Sequence, residues 1–504
     1  MVSTLSRLAK PSLSDYFYLF FTVWMFLTSP VGWERLLLDA DSTLHTRIGQ
    51  HILATGSIPH HDLFAFSKPG QEWYAFEWLT ESIFGAVYNY ASYKGLTFLA
   101  GTLIALYVTF LLKYMVWRGA NGFIALLVVL VTATATSLHF FVRPHLFTLL
   151  LLAISLAILE HNRRTPGGRL IWLLVPITTL WVNLHGGFAV FFALLGLRVL
   201  GCAAEAYFWE EHRAERRREA IQLTKLGVAC SLASLVNPYG IALHLHILET
   251  LRNPWIQANV SEFLSPDFRG EELMHFMILL FAGLICLVPL VRERKIGEAL
   301  SILFLAYISL ISVRHLTIYA LVAAPIIACQ LTGLWRGLVG GGSKASLLGI
   351  VGDIGETLTL KLPGTSAFIP VVIAVLPFLP GVNWPTQFPD GEVPVNMIEK
   401  HHDLIANSRV FTPDQVSDYL IFRNYPEQRV FMDSRHNYYG PEIGDEYLAV
   451  IGGKADWRKL LNKYKVDVLL IRSGGPLASL ARESGEWRAV GSDKKYELLA
   501  RAKQ

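Results

Sequence analysis

Apolar runs recur along this chain from Leu19 to Pro380, and a polypeptide carrying so many of them is best accommodated by crossing a membrane repeatedly. The excess is general: 53% of the 504 residues are hydrophobic and only 17% are Asp, Glu, Lys or Arg, where a soluble domain is about a quarter charged. Mean hydropathy is +0.40. A soluble enzyme, a disordered chain and a secreted disulfide scaffold are all poor fits to these values. Lys plus Arg number 44 against 40 for Asp plus Glu, and the net charge of +4 is too small to suggest a nucleic-acid partner. The four cysteines, Cys202, Cys230, Cys286 and Cys329, lie in or beside apolar runs without CxxC spacing and read as small buried apolar residues.

Candidate spans fall at 16–32, 95–113, 120–138, 146–160, 170–183, 187–208, 222–236, 272–290, 297–311, 316–333 and 366–381, about eleven in all. Arg7 and Lys10 precede the first run and no Ala-x-Ala-like site follows it, which predicts an uncleaved first helix with a cytoplasmic N-terminus. Lys113 with Arg118, then Arg163, Arg164 and Arg169, then Arg213 with Arg216, Arg217 and Arg218, then Arg292, Arg294 and Lys295, then Arg336 with Lys344 all fall on that same side. The agreement requires 76–93, with Glu77 and Glu81, and 238–250, with Pro238, Gly240, His244 and His246, to lie on the outer surface. The expected fold is an all-α polytopic membrane protein of about eleven helices with a small C-terminal extracytoplasmic α/β domain. Its parts are a transmembrane domain over 1–382, with a first outer loop at 33–94, and the external domain over 383–504. Short strands are predicted there at 429–433, 466–471 and 496–500, and Trp457, Leu460 and Leu461 predict a helix over 456–464. The stretch 337–357, with Gly340, Gly341 and Gly342, reads as a flexible inner loop, since no GxxxxGK[ST] pattern is present.

This topology puts most of the unusual polar groups on one side. They are Asp39, Asp41 and His45, then His60, His61, Asp62, Glu72 and Glu77 in the first loop. Later junctions add Arg143 and His145, Asn183 and His185, Asn237, Glu262 and Asp267, and Arg314 with His315. Carboxylates and histidines beside arginines suit two jobs, activating a hydroxyl nucleophile and holding an anionic phosphate. Arginine's planar fork fits phosphoryl oxygens better than lysine does. A divalent cation, Mg or Mn, held by Asp39, Asp41 and His45 could assist if the folded distances allow.

The first loop, DADSTLH at 39–45 with Arg47 and Gly49, followed by GSIPHHDLFAFS and EWYAFEWLTE, resembles multi-spanning bacterial membrane proteins of the GT-C glycosyltransferase superfamily. The nearest likeness is to bacterial relatives of the dolichyl-phosphate-mannose and lipid-A-modifying transferases. It continues through RPHLF, NLHGG, NPYG, SPDF and SVRH into RVFMDSRHNYYG and KYKVDVLLI, and so covers most of the chain. DAD in place of DPD keeps both acids and loses only the rigid proline. The resemblance implies a polytopic helical fold, a sugar donor on a polyprenyl phosphate, and an essential acid in the first outer loop, here Asp39 or Asp41.

The expectation is then a glycosyltransferase of the bacterial inner membrane, multi-pass, with its C-terminal domain periplasmic or extracellular. It would move a sugar from a polyprenyl-phosphate donor to a lipid, glycan or protein acceptor. Asp41 or Asp39 would be the base, Arg143 and Arg314 the phosphate clamp, and His145, His185, His315 and Glu77 further substrate contacts. Plainer readings stand beside these. The acids could cap a helix, Arg143 and His145 could anchor at the interface, and the glycines after His185 could serve a tight turn. Asp433, Arg435, His436 and Tyr439 could form a polysaccharide or peptide contact, and read better as a structural polar turn. The rival functions are a transporter or flippase for a polyprenyl-linked glycan, which needs polar groups at the midplane and on both sides, and a non-catalytic membrane assembly subunit.

Overall fold

The computed structural model describes residues 10–28, 32–340, 347–361 and 366–502; Arg7, Gly341, Gly342 and Lys344, named above, lie outside them. The first helix begins where Ser12 and Asp15 close a capping box: the Ser12 amide donates to Asp15 Oδ2 at 2.7 Å and the Asp15 amide to Ser12 Oγ at 3.2 Å. The reciprocal pair satisfies amides that would otherwise face apolar surroundings. Among the described residues six helices are long and apolar enough to cross a membrane: Trp78–Arg118, Gly122–His139, His145–Arg164, Phe188–Phe208, Glu271–Arg292 and Val313–Val339. Shorter apolar helices at Leu13–Leu27, Leu170–Leu184, Ile296–Ile311 and Ile369–Phe378, with Arg213–Ala233, occupy the other expected spans. The protein is a mostly α-helical, multi-pass membrane protein.

Trp78–Arg118 has 41 residues and would be about 60 Å long if straight, twice the hydrocarbon thickness of about 30 Å. It breaks at Ser92, whose φ is 53°. The arm 78–91 therefore packs against Asp41–Thr55 while the remainder spans, and Tyr88 meets Phe422 of the C-terminal part edge-on at 5.1 Å. Ile241–Arg252, of 12 residues, is too short to cross. Its neighbour Tyr239 accepts from the Ala75 amide at 2.9 Å and His246 stacks on Tyr74 at 4.7 Å, so it lies against the first loop as expected.

Helices of alternating direction gather their junctions at two ends. At one end the Asn121 amide donates to Thr332 Oγ1 at 2.9 Å, Arg118 to Glu298 at 3.0 Å, Arg164 to the Trp117 carbonyl at 3.1 Å and the Ile296 amide to Glu205 at 2.9 Å. These contacts unite the basic clusters, which is the asymmetry expected of a cytoplasmic face. The first loop, the junctions around 140–145, 185–187 and 312–315, and the C-terminal part collect at the opposite end.

The C-terminal sheet holds β1 (Val410–Phe411), β2 (Val468–Arg472), β3 (Trp487–Ser492) and β4 (Tyr496–Arg501) in the order β1-β2-β4-β3. β1 and β2 run parallel and the other pairs antiparallel. The predicted strands at 466–471 and 496–500 form, as does the helix, at Trp457–Lys463. The predicted strand at 429–433 does not join the sheet. Val430 instead bridges the first loop, its amide donating to the Phe64 carbonyl and its carbonyl accepting from Phe66, both at 2.9 Å. An alternating apolar pattern fits any exposed backbone edge, and residues 64–66 supply one nearer than the sheet. The expected loop at 337–357 is also corrected, because Leu347–Lys361 is helical. Ile350 and Ile354, four residues apart and 47% and 50% exposed, share an apolar face of it.

Candidate functional site

Two helices that touch backbone to backbone set the site's frame. Asp41–Thr55 crosses the arm 78–91 at Gly49 and Gly85. A Cβ on Gly49 would lie 1.7 Å from the Glu81 carbonyl oxygen and one on Gly85 2.5 Å from Gly49 C, so neither position admits a side chain. The close crossing brings His45 to two carboxylates of the arm. His45 Nδ1 is 3.1 Å from Glu81 Oε1, and its Nε2 is 3.6 Å from Glu77 Oε2 and from Asp41 Oδ2. Gly49→Ala tests the crossing by sign. Helix propensity alone favours alanine by about 1 kcal/mol, whereas forcing the backbones apart costs about 1–3 kcal/mol. A net destabilisation on thermal melting is expected.

Arg143 stands at the centre of the next layer. Its Nε lies 3.0 Å from Asp39 Oδ2 and donates to Asp41 Oδ2 at 2.9 Å, and its Nη1 donates to Glu262. One guanidinium thus meets three carboxylates, two from the first loop and one from the segment at 261–263. The second Asp41 oxygen accepts from Ser434 Oγ at 2.6 Å, a side chain of the C-terminal part. Farther along, the arm is fastened to the 183–187 turn by Trp78 Nε1 on Asn183 Oδ1 at 2.8 Å and Thr80 Oγ1 on the Leu184 carbonyl at 2.7 Å. These bonds set Glu77 Oε1 3.5 Å from His185 Nε2. The Gly187 amide donates to His185 Nδ1 at 2.9 Å, which assigns the ring proton to Nε2, facing Glu77. A Cβ on Gly187 would sit 2.6 Å from Thr148 Oγ1, so the glycine after the histidine serves both the turn and the site.

The charges divide sharply. Burial pushes the Asp41 carboxyl up, but Arg143, His45 and Ser434 outweigh it and hold it well below the usual carboxylate range. Asp39 goes the other way: burial, reinforced by Asp41 and Glu262, exceeds the pull of Arg143. Burial lowers His45, but Asp41, Glu81 and Glu77 raise it well above an ordinary histidine. Glu77 is pushed up to about 8, chiefly by burial and despite His45. Burial, then His145 and Arg314, keep His185 neutral. At neutral pH the site therefore holds an ionised Asp41, a protonated His45 and a largely protonated Glu77.

A carboxyl raised from 4.5 to about 8 binds its proton more tightly in the folded protein than in the unfolded chain. Its contribution is complete at low pH and is lost progressively as pH rises between those two values. Glu77→Gln lacks this slope. Relative to wild type its melting temperature is expected to rise as the buffer is taken from about pH 5 to about pH 8.5; parallel curves would contradict the assignment.

Asp39, Asp41, His45, Glu77, Arg143 and His185, all marked in the sequence, thus form one network. His145 adjoins it, its ring 6.5 Å from that of His185, but its Nε2 donates to the His139 carbonyl at 2.7 Å. Arg314 and His315 lie on the far rim. The Arg314 guanidinium sits over the Phe263 ring at 4.5 Å and makes no ion pair among the described residues. His139 Nδ1 and His315 Nδ1 are buried without a partner there. Glu81, Glu262, Ser434 and Thr148 complete the cluster. Glu262 was among the polar residues expected on this side, without a role of its own, and Glu81 was readable four residues from Glu77 on the same helical face; Ser434 and Thr148 were not singled out. Arg143 stands against both aspartates of the cation site expected at Asp39, Asp41 and His45.

Comparison with solved structures brings out a likeness across most of the chain. The apo oligosaccharyltransferase of Archaeoglobus fulgidus superposes with a TM-score of 0.54 over 91% of this chain and 69% of that one, at 10% identity. The AglB oligosaccharyltransferase of the same organism, in complex with an inhibitory peptide and a dolichol-phosphate, gives 0.54 over the same shares at 11% identity. The chain shares the fold of these two structures. No family model matches the chain, and no curated protein matches its sequence. At such identities the likeness speaks for the fold alone.

Proposed function

We propose that the protein is a glycosyltransferase that moves a sugar from a polyprenyl-phosphate donor to a lipid, glycan or protein acceptor on the outer face of the inner membrane. The observation that carries this reading is the acid, histidine and arginine network at the non-basic end of the bundle, to which Ser434 of the C-terminal part contributes. The likeness of the fold to an oligosaccharyltransferase whose structure holds a dolichol-phosphate supports it. The collection of basic residues at the opposite end supports an extracytoplasmic site.

In this reading the acceptor oxygen attacks the anomeric carbon, the bond from that carbon to the phosphate oxygen breaks, and the polyprenyl phosphate departs. Asp41 is held too low to accept the acceptor's proton at neutral pH, and Glu77, pushed up to about 8, is suited to take it. Asp41 keeps its negative charge where positive charge develops on the sugar. Arg143 is already committed to Asp39, Asp41 and Glu262 and serves to position them. Arg314, without a carboxylate partner and near two histidine nitrogens lacking partners, is the better phosphate ligand. A divalent cation at Asp39, Asp41 and His45 would have to displace Arg143, and adding Mn or a chelator to the assay tests for one.

The experiment is a transfer assay with the full-length protein in vesicles, a pool of radiolabelled polyprenyl-phosphate sugars and a membrane extract as acceptor source. Label is expected to pass to acceptor with release of polyprenyl phosphate, at a rate that climbs with pH toward a plateau above about 8. Movement of intact labelled donor between leaflets, without a new bond, would establish the transporter instead.

A further inference from the structure

At the basic end, on the side opposite the site described above, the hairpin of Phe188–Phe208 and Arg213–Ala233 leaves a cleft of about 690 Å³. Ala203, Ala206 and Ala220 line it and are too small to fill the space between the helices. Tyr207 and Ile221 form its open edge and are 76% and 49% exposed. Three cations share this lining: Arg213, Arg217 and Lys225. Arg213 is fixed at the mouth, its Nε donating to the Ala206 carbonyl at 3.1 Å and its Nη2 3.1 Å from Glu210. Arg217 and Lys225 have no hydrogen bond or ion pair among the described residues. Arg216, one residue away but outside the cleft, is paired with Glu205 and Glu219. The unpaired charges of this helix thus include the two that face the cleft.

The exposed face of Arg213–Ala233 passes from Arg213 and Arg217 through Ile221 and Lys225 to Val228, which is 58% exposed. Residues four apart stack on one face of a helix, so this surface changes from cationic to apolar along its length. That gradient matches the passage from headgroups to acyl chains at a cytoplasmic leaflet. Lys225 lies beyond the start of the apolar run at Ala220, where a lysine without an anion is costly unless its stem snorkels outward.

We propose that this cleft binds an anionic phospholipid, with its phosphate between Arg217 and Lys225 and an acyl chain along Ala203, Ala206 and Ile221. The cleft's volume is that of a small-molecule site, large enough for a headgroup and the upper part of a chain. A zwitterionic lipid presents the same phosphate, but its own cation is repelled by the three already there. This assignment does not rest on the transfer reading, since lipid retention is measured without turnover.

The test uses the full-length protein in bilayer discs of phosphatidylcholine with a minority of phosphatidylglycerol, and native mass spectrometry to count the lipids it retains. Wild type is expected to enrich phosphatidylglycerol over phosphatidylcholine by about tenfold. Arg217→Gln with Lys225→Gln should lose most of that enrichment. Arg169→Gln with Arg218→Gln, exposed positions at the same end outside the cleft, removes the same charge and should keep it. Equal enrichment in wild type and the cleft variant, equal loss in both double variants, or no preference between the two lipids would overturn the proposal.

Discussion

Asp41→Asn is expected to reduce the turnover rate by about 10³-fold while leaving the protein folded. The fold survives because Arg143 keeps Asp39 at 3.0 Å and Glu262, so no buried cation is left alone. The chemistry does not survive. Asn keeps the shape and can still accept from Ser434, but it removes the first-loop carboxylate that Arg143, His45 and Ser434 hold well below the usual range. It also withdraws the first of the groups that keep His45 protonated, so that the charge facing Glu77 changes with it. Asp39→Asn should cost far less, about tenfold, because Asp39 touches Arg143 without Ser434 or His45, and burial pushes its carboxyl up where that of Asp41 is held down. The kinetic split is diagnostic: Asp41→Asn acts on kcat, whereas Arg314→Gln, on the rim, should act mainly on the KM for donor. Equal effects of the two aspartate variants would contradict the division of charge.

Arg435→Met is expected to destabilise the protein by about 3–5 kcal/mol. The Arg435 side chain is 7% exposed, and its Nη2 lies 2.6 Å from Asp62 Oδ1 and 2.7 Å from Asp433 Oδ2. Those two carboxylates are 1% and 0% exposed and would be left buried without their cation. Tyr439 donates to Asp433 at 2.7 Å and cannot replace the charge. The guanidinium also lies 4.5 Å from the Trp73 ring and 5.0 Å from Phe64, packing that methionine only partly restores. Asp62 belongs to the first loop and Asp433 to the C-terminal part, so this cluster joins the two, next to Ser434 on Asp41. Activity should fall with stability for that reason. Replacing Asp62 and Asp433 by asparagine alongside Arg435→Met should restore part of the loss, since it removes the stranded charges and keeps acceptors for the Phe64 and Ala65 amides and the Tyr439 hydroxyl. Thermal melting of the three proteins in one detergent decides it, and an unchanged melting point in Arg435→Met would contradict the role.

The membrane architecture was legible because it depends on local composition: apolar runs mark helices, and basic clusters mark one end. The same reasoning collected Asp39, Asp41, Glu77, Arg143 and His185 on one side before any distance was known. The partners within that set were not readable. Ser434 lies 393 residues from Asp41, and no periodicity links a serine in a water-facing tail to an acid in the first loop. Arg143 was expected to bind phosphate, and the three carboxylates that engage it are not displayed by the sequence. The pairing of Val430 with residues 64–66 was missed for the same reason, since strand patterning names a strand without naming its neighbour. Asp433 and Arg435, by contrast, were read as structural and are buried in an ion-pair cluster. Gly49 and Gly85 carried a signal of a different kind, glycines inside helices, whose meaning became plain only when their backbones were seen to touch.

In the proposed reaction the donor's phosphate and its sugar meet at the junction of the first loop, the arm 78–91 and the C-terminal part. Cryo-electron microscopy of the protein with a bound polyprenyl-phosphate sugar tests it most directly. Phosphate density is expected beside Arg314, with His139 and His315 nearby, and the anomeric carbon is expected to face Asp41 and Glu77. Phosphate density at the basic end, against Arg118, or a sugar separated from Asp41 by the C-terminal part, would contradict it.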